Sequence, residues 1–175
     1  MAALYYLIDT VLGFAVYAFL LRVLLPLVRA DIRNPLTQAI LALTNWLVLP
    51  LRRVLPPIGR IDTASIAALA AVQIGATLIL FKLRTGALLP LLPLAVAALR
   101  SLVLATLLLY TVLIFAYALL SFIAPGVRSP VTALLASLCE PVIAPLRRVL
   151  PIVGGIDFSP LVAIVGLTAL RILIG

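Results

Sequence analysis

The chain contains no histidine, one cysteine (Cys139) and five acidic residues in 175 positions. Each scarcity removes a class of function. Without histidine, the histidine-based general bases and metal sites have nothing to build them. A single cysteine forms no intrachain disulfide, and Cys139 has no histidine to activate it, so it reads as a small apolar filler. Glu140 has no second acid near it in sequence, so paired-carboxylate chemistry is unsupported. The expectation is a protein that is not an enzyme, with no metal and no cofactor.

Charge of either sign is also scarce. The chain is 10% charged and 66% hydrophobic, with a mean hydropathy of +1.36. An ordinary soluble domain is roughly a quarter charged. A water-soluble fold of this size cannot hide so much apolar surface, so lipid is the expected solvent and the backbone polar groups must close within helices. The net charge of +8 needs a partner. A nucleic-acid binder would place its cations on a wet face among aromatic or polar neighbours. Here the arginines punctuate apolar runs, which fits anionic lipid and not nucleic acid. No basic residue precedes Arg22, so the first apolar run is expected to be a retained span, not a cleaved signal.

What is abundant is repetition. Pro50 to Asp62 reads Pro-Leu-Arg-Arg-Val-Leu-Pro-Pro-Ile-Gly-Arg-Ile-Asp, and Pro145 to Asp157 matches it at ten of thirteen positions with an offset of 95. Paired arginines fenced by prolines, then a glycine and an aspartate, imply two copies of one unit. Arg128, Pro130 and Thr132 match Arg33, Pro35 and Thr37 at the same offset.

Repeat 1 is expected over 1–85, with spans at about 4–28 and 63–81 and a helix over 35–49. Its Asn34-Pro35 is a helix start, with Asn as cap and Pro in the first turn. Leu36, Ile40, Leu43 and Leu47 fall at helical spacing, while Thr37, Gln38, Thr44 and Asn45 gather on another face. This short helix is expected in the interface, with Trp46 at headgroup depth and a re-entrant hairpin as the competing arrangement. Residues 86–99, broken by Pro90 and Pro93, form a linker. Repeat 2 covers 100–175, with spans at about 100–124 and 159–175, the first closed by Pro125-Gly126, and a short helix over 130–144. The fold class is therefore an all-α membrane protein of four transmembrane helices in one domain. Two spans per copy make the repeats parallel. Arg29, Arg33, Arg52, Arg53, Arg60, Arg128, Arg147 and Arg148 outnumber Lys82, Arg84 and Arg100 on the middle connection. That bias puts the Arg-Arg loops in the cytoplasm and both termini outside.

Arg22-Val-Leu-Leu, Asn34-Pro35, Pro50-Leu51-Arg52-Arg53 with Pro56, Gly59 and Asp62, and their second-copy partners resemble the YggT (YlmG) family of small integral membrane proteins. The resemblance covers nearly the whole chain. Ser129 departs from the asparagine before proline, and Tyr117 stands opposite Arg22. The resemblance implies a multi-pass protein of the bacterial inner membrane. It implies links to osmotic tolerance, ion homeostasis and envelope or division processes, or to assembly of photosynthetic complexes in plastid relatives, with no enzyme activity.

The candidate sites follow from position. Arg52, Arg53, Arg147 and Arg148 sit among lipid phosphates or form a docking face for a partner. Asp62 and Asp157 cap the following helices or pair with their own arginines. Gln73 and Thr168, at mid-depth, are expected as interhelical glue. Ala67, Ala71 and Gly75 are a small-residue ridge for close helix approach. Arg22 is the one charge well inside a span, either snorkelling to the headgroups or functional. The expected function is a non-enzymatic scaffold or accessory factor binding anionic lipid and other membrane proteins or its own copies. The alternative is an oligomeric ion channel or transport component.

Overall fold

Among the described residues, the apolar runs close their backbone hydrogen bonds in six helices: α1 (Ala2–Leu27), α2 (Pro35–Arg52), α3 (Thr63–Thr85), α4 (Leu91–Ile123), α5 (Pro130–Val149) and α6 (Ser159–Ile174). The computed structural model describes residues 2–58, 62–123, 126–127, 129–150 and 157–175. Gly59, Arg60, Ala124, Pro125, Arg128 and residues 151–156, on which parts of the loop motif, the end of the third span and the charge count rest, lie outside the described residues.

Among the described residues, four helices are long and apolar enough to cross a bilayer: α1, α3, α4 and α5. The chain is a multi-pass, all-α membrane protein. The exposed side chains agree. Leu4, Leu7, Val11 and Phe14 lie on one stripe of α1 and are each more than half exposed, the surface that hydrocarbon covers.

Boundaries differ from expectation in three places, each involving proline. The linker expected over 86–99 is much shorter, because α4 begins at Leu91. Pro90 and Pro93 fall at the start of that helix, where a missing N–H has no intrahelical partner to lose, so they open the helix instead of breaking it. The short helices expected to stop at 49 and 144 run on through Pro50 to Arg52 and through Pro145 to Val149. Each ring removes one i→i−4 bond, and the surrounding turns hold. As a result α5, expected in the interface, reaches 20 residues, whereas the expected span over 159–175 forms α6 with 16. At 1.5 Å per residue α6 is about 24 Å long, short of the roughly 30 Å hydrocarbon core.

Helix ends follow local chemistry. Asn34 Oδ1 accepts the Leu36 N–H at 2.9 Å, and Ser129 Oγ accepts that of Thr132 at 3.1 Å in a reciprocal capping box. Gly86 closes α3 in the left-handed region, at φ 72°, with its N–H on the Lys82 carbonyl.

Contacts divide the chain into two units. The first comprises Met1–Leu27 with Ile40–Ala105, and the second Val28–Ala39 with Thr106–Gly175. In the first, α1 packs along α3. The α3 face that meets it is Ala64, Ser65, Ala68, Leu69, Gln73 and Ala76. The expected ridge is corrected by this: Ala71 is exposed, and Ala67 and Gly75 are only half-buried. In the second unit, α5 packs on α6 around Ile114, Cys139, Ile143 and Ala163.

Candidate functional site

The deepest charge in the first unit is Arg22, only 3% exposed. It does not snorkel. A guanidinium carries five donors and no acceptor, so burial demands a surround of oxygens. Its Nε donates to Ser65 Oγ at 3.1 Å. Its Nη1 shares its hydrogens among Leu41 O at 3.0 Å, Thr44 Oγ1 at 2.7 Å and Asn45 Oδ1 at 2.8 Å. Those acceptors come from α2 and α3, so one side chain ties three helices.

The directions of the hydrogen bonds are fixed. Thr44 donates its own proton to Ile40 O at 2.7 Å, leaving its lone pairs to Arg22. Ser65 donates to Asp62 Oδ2 at 2.7 Å and so also faces Arg22 as an acceptor. Asp62 Oδ2 accepts in addition from Arg52. The result is a polarised line, Arg22 to Ser65 to Asp62 to Arg52, with one carboxylate between two guanidiniums.

Thr44 and Asn45 were visible in the sequence as part of a polar face on α2; the structure buries Thr37 and Thr44, half-buries Asn45 and leaves Gln38 exposed. Thr44 is fully buried, while Leu43 and Trp46 are exposed. The buried side of α2 is mixed, with Val48 fully buried beside the threonines. The Trp46 ring meets Phe19 edge-on, with centroids 6.3 Å apart.

Asp62 and Asp157 both pair with the first arginine of their own loop. Arg147 Nε donates to Asp157 Oδ2 at 2.9 Å, and its Nη1 to Glu140 Oε1 at 3.3 Å. As a cap, only Asp157 acts: its Oδ1 accepts the Ser159 N–H at 2.9 Å, whereas the Asp62 side chain caps no N–H of α3. Burial alone would raise the Asp62 carboxyl, but the hydrogen bonds from Ser65 and Arg52 outweigh it and hold its pKa below the ordinary value. Asp157 is lowered in the same way: burial opposes, and Ser159 and Arg147 prevail. The second arginines behave differently. Arg53 and Arg148 are exposed and make no ion pair among the described residues.

Among the described residues, neither mid-depth polar side chain bonds to another helix. Gln73 Nε2 donates to Thr77 Oγ1 at 3.2 Å, one turn along its own helix, and its Oε1 is buried with no partner. Thr168 is exposed and makes no side-chain hydrogen bond among the described residues.

A family model described as CCB3/YggT matches residues 1–83 and 96–175. The chain is similar to the protein YggT of Escherichia coli K12, 33% identical over 94% of this chain and 85% of that protein. It is similar to protein PA0392 of Pseudomonas aeruginosa, 35% identical over 97% and 86%. A protein encoded beside proC in Vibrio alginolyticus is 34% identical over 100% and 95%. No solved structure matches the chain.

Proposed function

The chain belongs to the CCB3/YggT family, and from that premise we propose that it is a non-enzymatic scaffold of the bacterial inner membrane, built from a duplicated unit, whose Arg-Arg loops dock on anionic lipid head groups beside partner membrane proteins. The observation that carries this is the division of labour within each pair. Arg52 and Arg147 are held by Asp62 and Asp157 and shape the loop, which leaves Arg53 and Arg148 exposed for phosphate. Juxtamembrane arginines gain about 1 kcal/mol each from an anionic leaflet.

Duplication is supported by burial as well as by the motif. Ile114, Cys139, Ile143 and Ala163 form the core of the second unit. The residues 95 positions earlier, Phe19, Thr44, Val48 and Ala68, are all buried too. The basic bias of the sequence supports cytoplasmic Arg-Arg loops and termini outside. Arg22 favours the scaffold over conduction, since it is locked into contacts with α2 and α3. The physiological role carried by the family resemblance is osmotic tolerance, envelope or division processes, or assembly of membrane complexes.

The test is copurification from native membranes. Arg53→Glu with Arg148→Glu is expected to strip bound anionic phospholipid and any crosslinked partner, while Arg53→Lys with Arg148→Lys retains much of both. Cation flux across proteoliposomes of the purified protein, abolished by Gln73→Leu, overturns the scaffold in favour of transport. Labelling of cysteines placed at 53 and 148 from opposite faces of the membrane overturns the topology.

A further inference from the structure

A cavity of about 280 Å³ opens in the first unit between α1 and α3, with Asp9, Gly13, Gln73, Thr77 and Ser101 in its wall. It lies toward the far end of α1 from Arg22. Asp9 and Arg22 are thirteen positions apart, about 20 Å of helix. No arginine or lysine lines the cavity.

Two independent features of this cavity are unmatched. Asp9 stands in an apolar span and makes no ion pair or hydrogen bond among the described residues. A carboxylate in such a helix is costly without a counter-charge. The second is Gln73, 6% exposed, whose Oε1 has no donor. Its orientation is settled by Thr77. That hydroxyl spends its one proton on Gln73 O, at 2.9 Å, so toward the Gln73 side chain it only accepts. The amide must therefore turn its NH₂ to Thr77, as it does at 3.2 Å, which leaves the carbonyl oxygen over. A buried acceptor with no donor costs about 1–3 kcal/mol. Asp9 is exposed and Gln73 buried, and both line the cavity.

We propose that this cavity is a binding site for a hard monovalent cation, sodium or potassium, held by the Asp9 carboxylate, Gln73 Oε1 and water, with the Ser101 hydroxyl in the wall. Oxygen donors suit an alkali cation. A calcium site takes six to eight oxygens, commonly with several carboxylates, and one carboxylate falls short of that. The site is separate from the Arg-Arg loops and requires no flux, so it stands or falls apart from the scaffold.

The experiment is thermal unfolding of the purified full chain in detergent, in sodium, potassium or N-methyl-D-glucamine chloride at equal ionic strength. The expected result is a Tm higher by roughly 3–6 °C in one alkali salt than in the organic salt, at ten times the dissociation constant. Asp9→Asn and Gln73→Leu are expected to erase that increment. Because Gln73→Leu also touches the helix contact, Gly13→Leu is the second variant. A Cβ at Gly13 meets nothing within 4 Å, so the larger side chain fills the cavity and leaves every oxygen in place. Equilibrium dialysis with radioactive sodium and rubidium is expected to retain about one ion per native chain, in line with one carboxylate per site, and none for Gly13→Leu. Equal melting of the native protein in all three salts shows that bound water suffices and overturns the proposal. So does an increment that survives both Asp9→Asn and Gly13→Leu.

Discussion

Arg22, Thr44, Asn45 and Ser65 make one hydrogen-bonded set, and the residues 95 positions on are Tyr117, Cys139, Glu140 and Pro160. The second half keeps neither the donor nor the neutral acceptors. Cys139 instead belongs to an apolar cluster on which Tyr117 packs, and Glu140 turns to Arg147. A polar core of this kind is exchanged as a whole. Removing one partner strands the others at about 1–3 kcal/mol per buried group, whereas removing donor and acceptors together is nearly neutral. The first half therefore stands or falls as a set.

The most damaging single change expected in the first half is Arg22→Leu. It leaves Ser65 and Thr44 facing a vacancy and unlinks α1 from α2. The expected loss is about 3–5 kcal/mol, read as a fall in Tm of roughly 6–20 °C in detergent. Arg22→Lys recovers only part, since an ammonium does not reproduce the fork that reaches Ser65 and Asn45 at once. Converting the set together sharpens the point. Arg22→Leu with Thr44→Cys and Ser65→Ala is expected to melt above Arg22→Leu alone, by about 1–2 kcal/mol of non-additivity. Strictly additive losses would show that the acceptors do not depend on Arg22.

A smaller effect separates the two loops. The Asp62 side chain is 13% exposed and that of Asp157 31%. Asp62→Asn is expected to cost about 1.5–3 kcal/mol, as for hydrogen bonds to a buried charge, and Asp157→Asn about 0.5–1 kcal/mol, as for a solvated pair. Both carboxyls are lowered in the folded protein. Their contribution is therefore complete above the unfolded aspartate value near pH 3.9 and is lost as pH falls through the lower folded values. Melting curves are expected to be flat down to about pH 5 and to drop below about pH 4, with a shallower drop in Asp62→Asn.

How much of this was legible in the sequence depended on range. Asn34 and the Arg–Asp pairs were legible because each partner lies within a few residues or within a repeated motif; the Ser129 cap, read only as a departure from asparagine, was not. The face of α3 was not. Small residues at 64, 67, 68, 70, 71, 75 and 76 offer several ridges, and the choice is made by Ser65 meeting Arg22 from 43 positions away. Pro90 and Pro93 read as breakers because local pattern does not distinguish a first turn from an interior one. The stripe on α2 was seen, but not which of its residues face inward: Thr37 and Thr44 are buried and Gln38 is exposed. Asp9 was passed over, because a lone acid near the start of a span reads as interfacial, and only the orphaned Gln73 carbonyl gives that charge a context.

The mildest change tests whether the second half has any polar core at all. Glu140 occupies the position of Asn45, but its partner is Arg147 at 3.3 Å, with side chains 51% and 37% exposed. A pair this solvated is worth at most about 0.5–1 kcal/mol. Arg147 also keeps its shorter bond to Asp157 when Glu140 is gone. Glu140→Gln is therefore expected to shift Tm by no more than about 1–3 °C, whereas Asn45→Leu removes an acceptor from a buried guanidinium and shifts it further. If Glu140→Gln proves the more damaging of the two, the second half holds a charge network as demanding as the first, and the contrast between the halves fails.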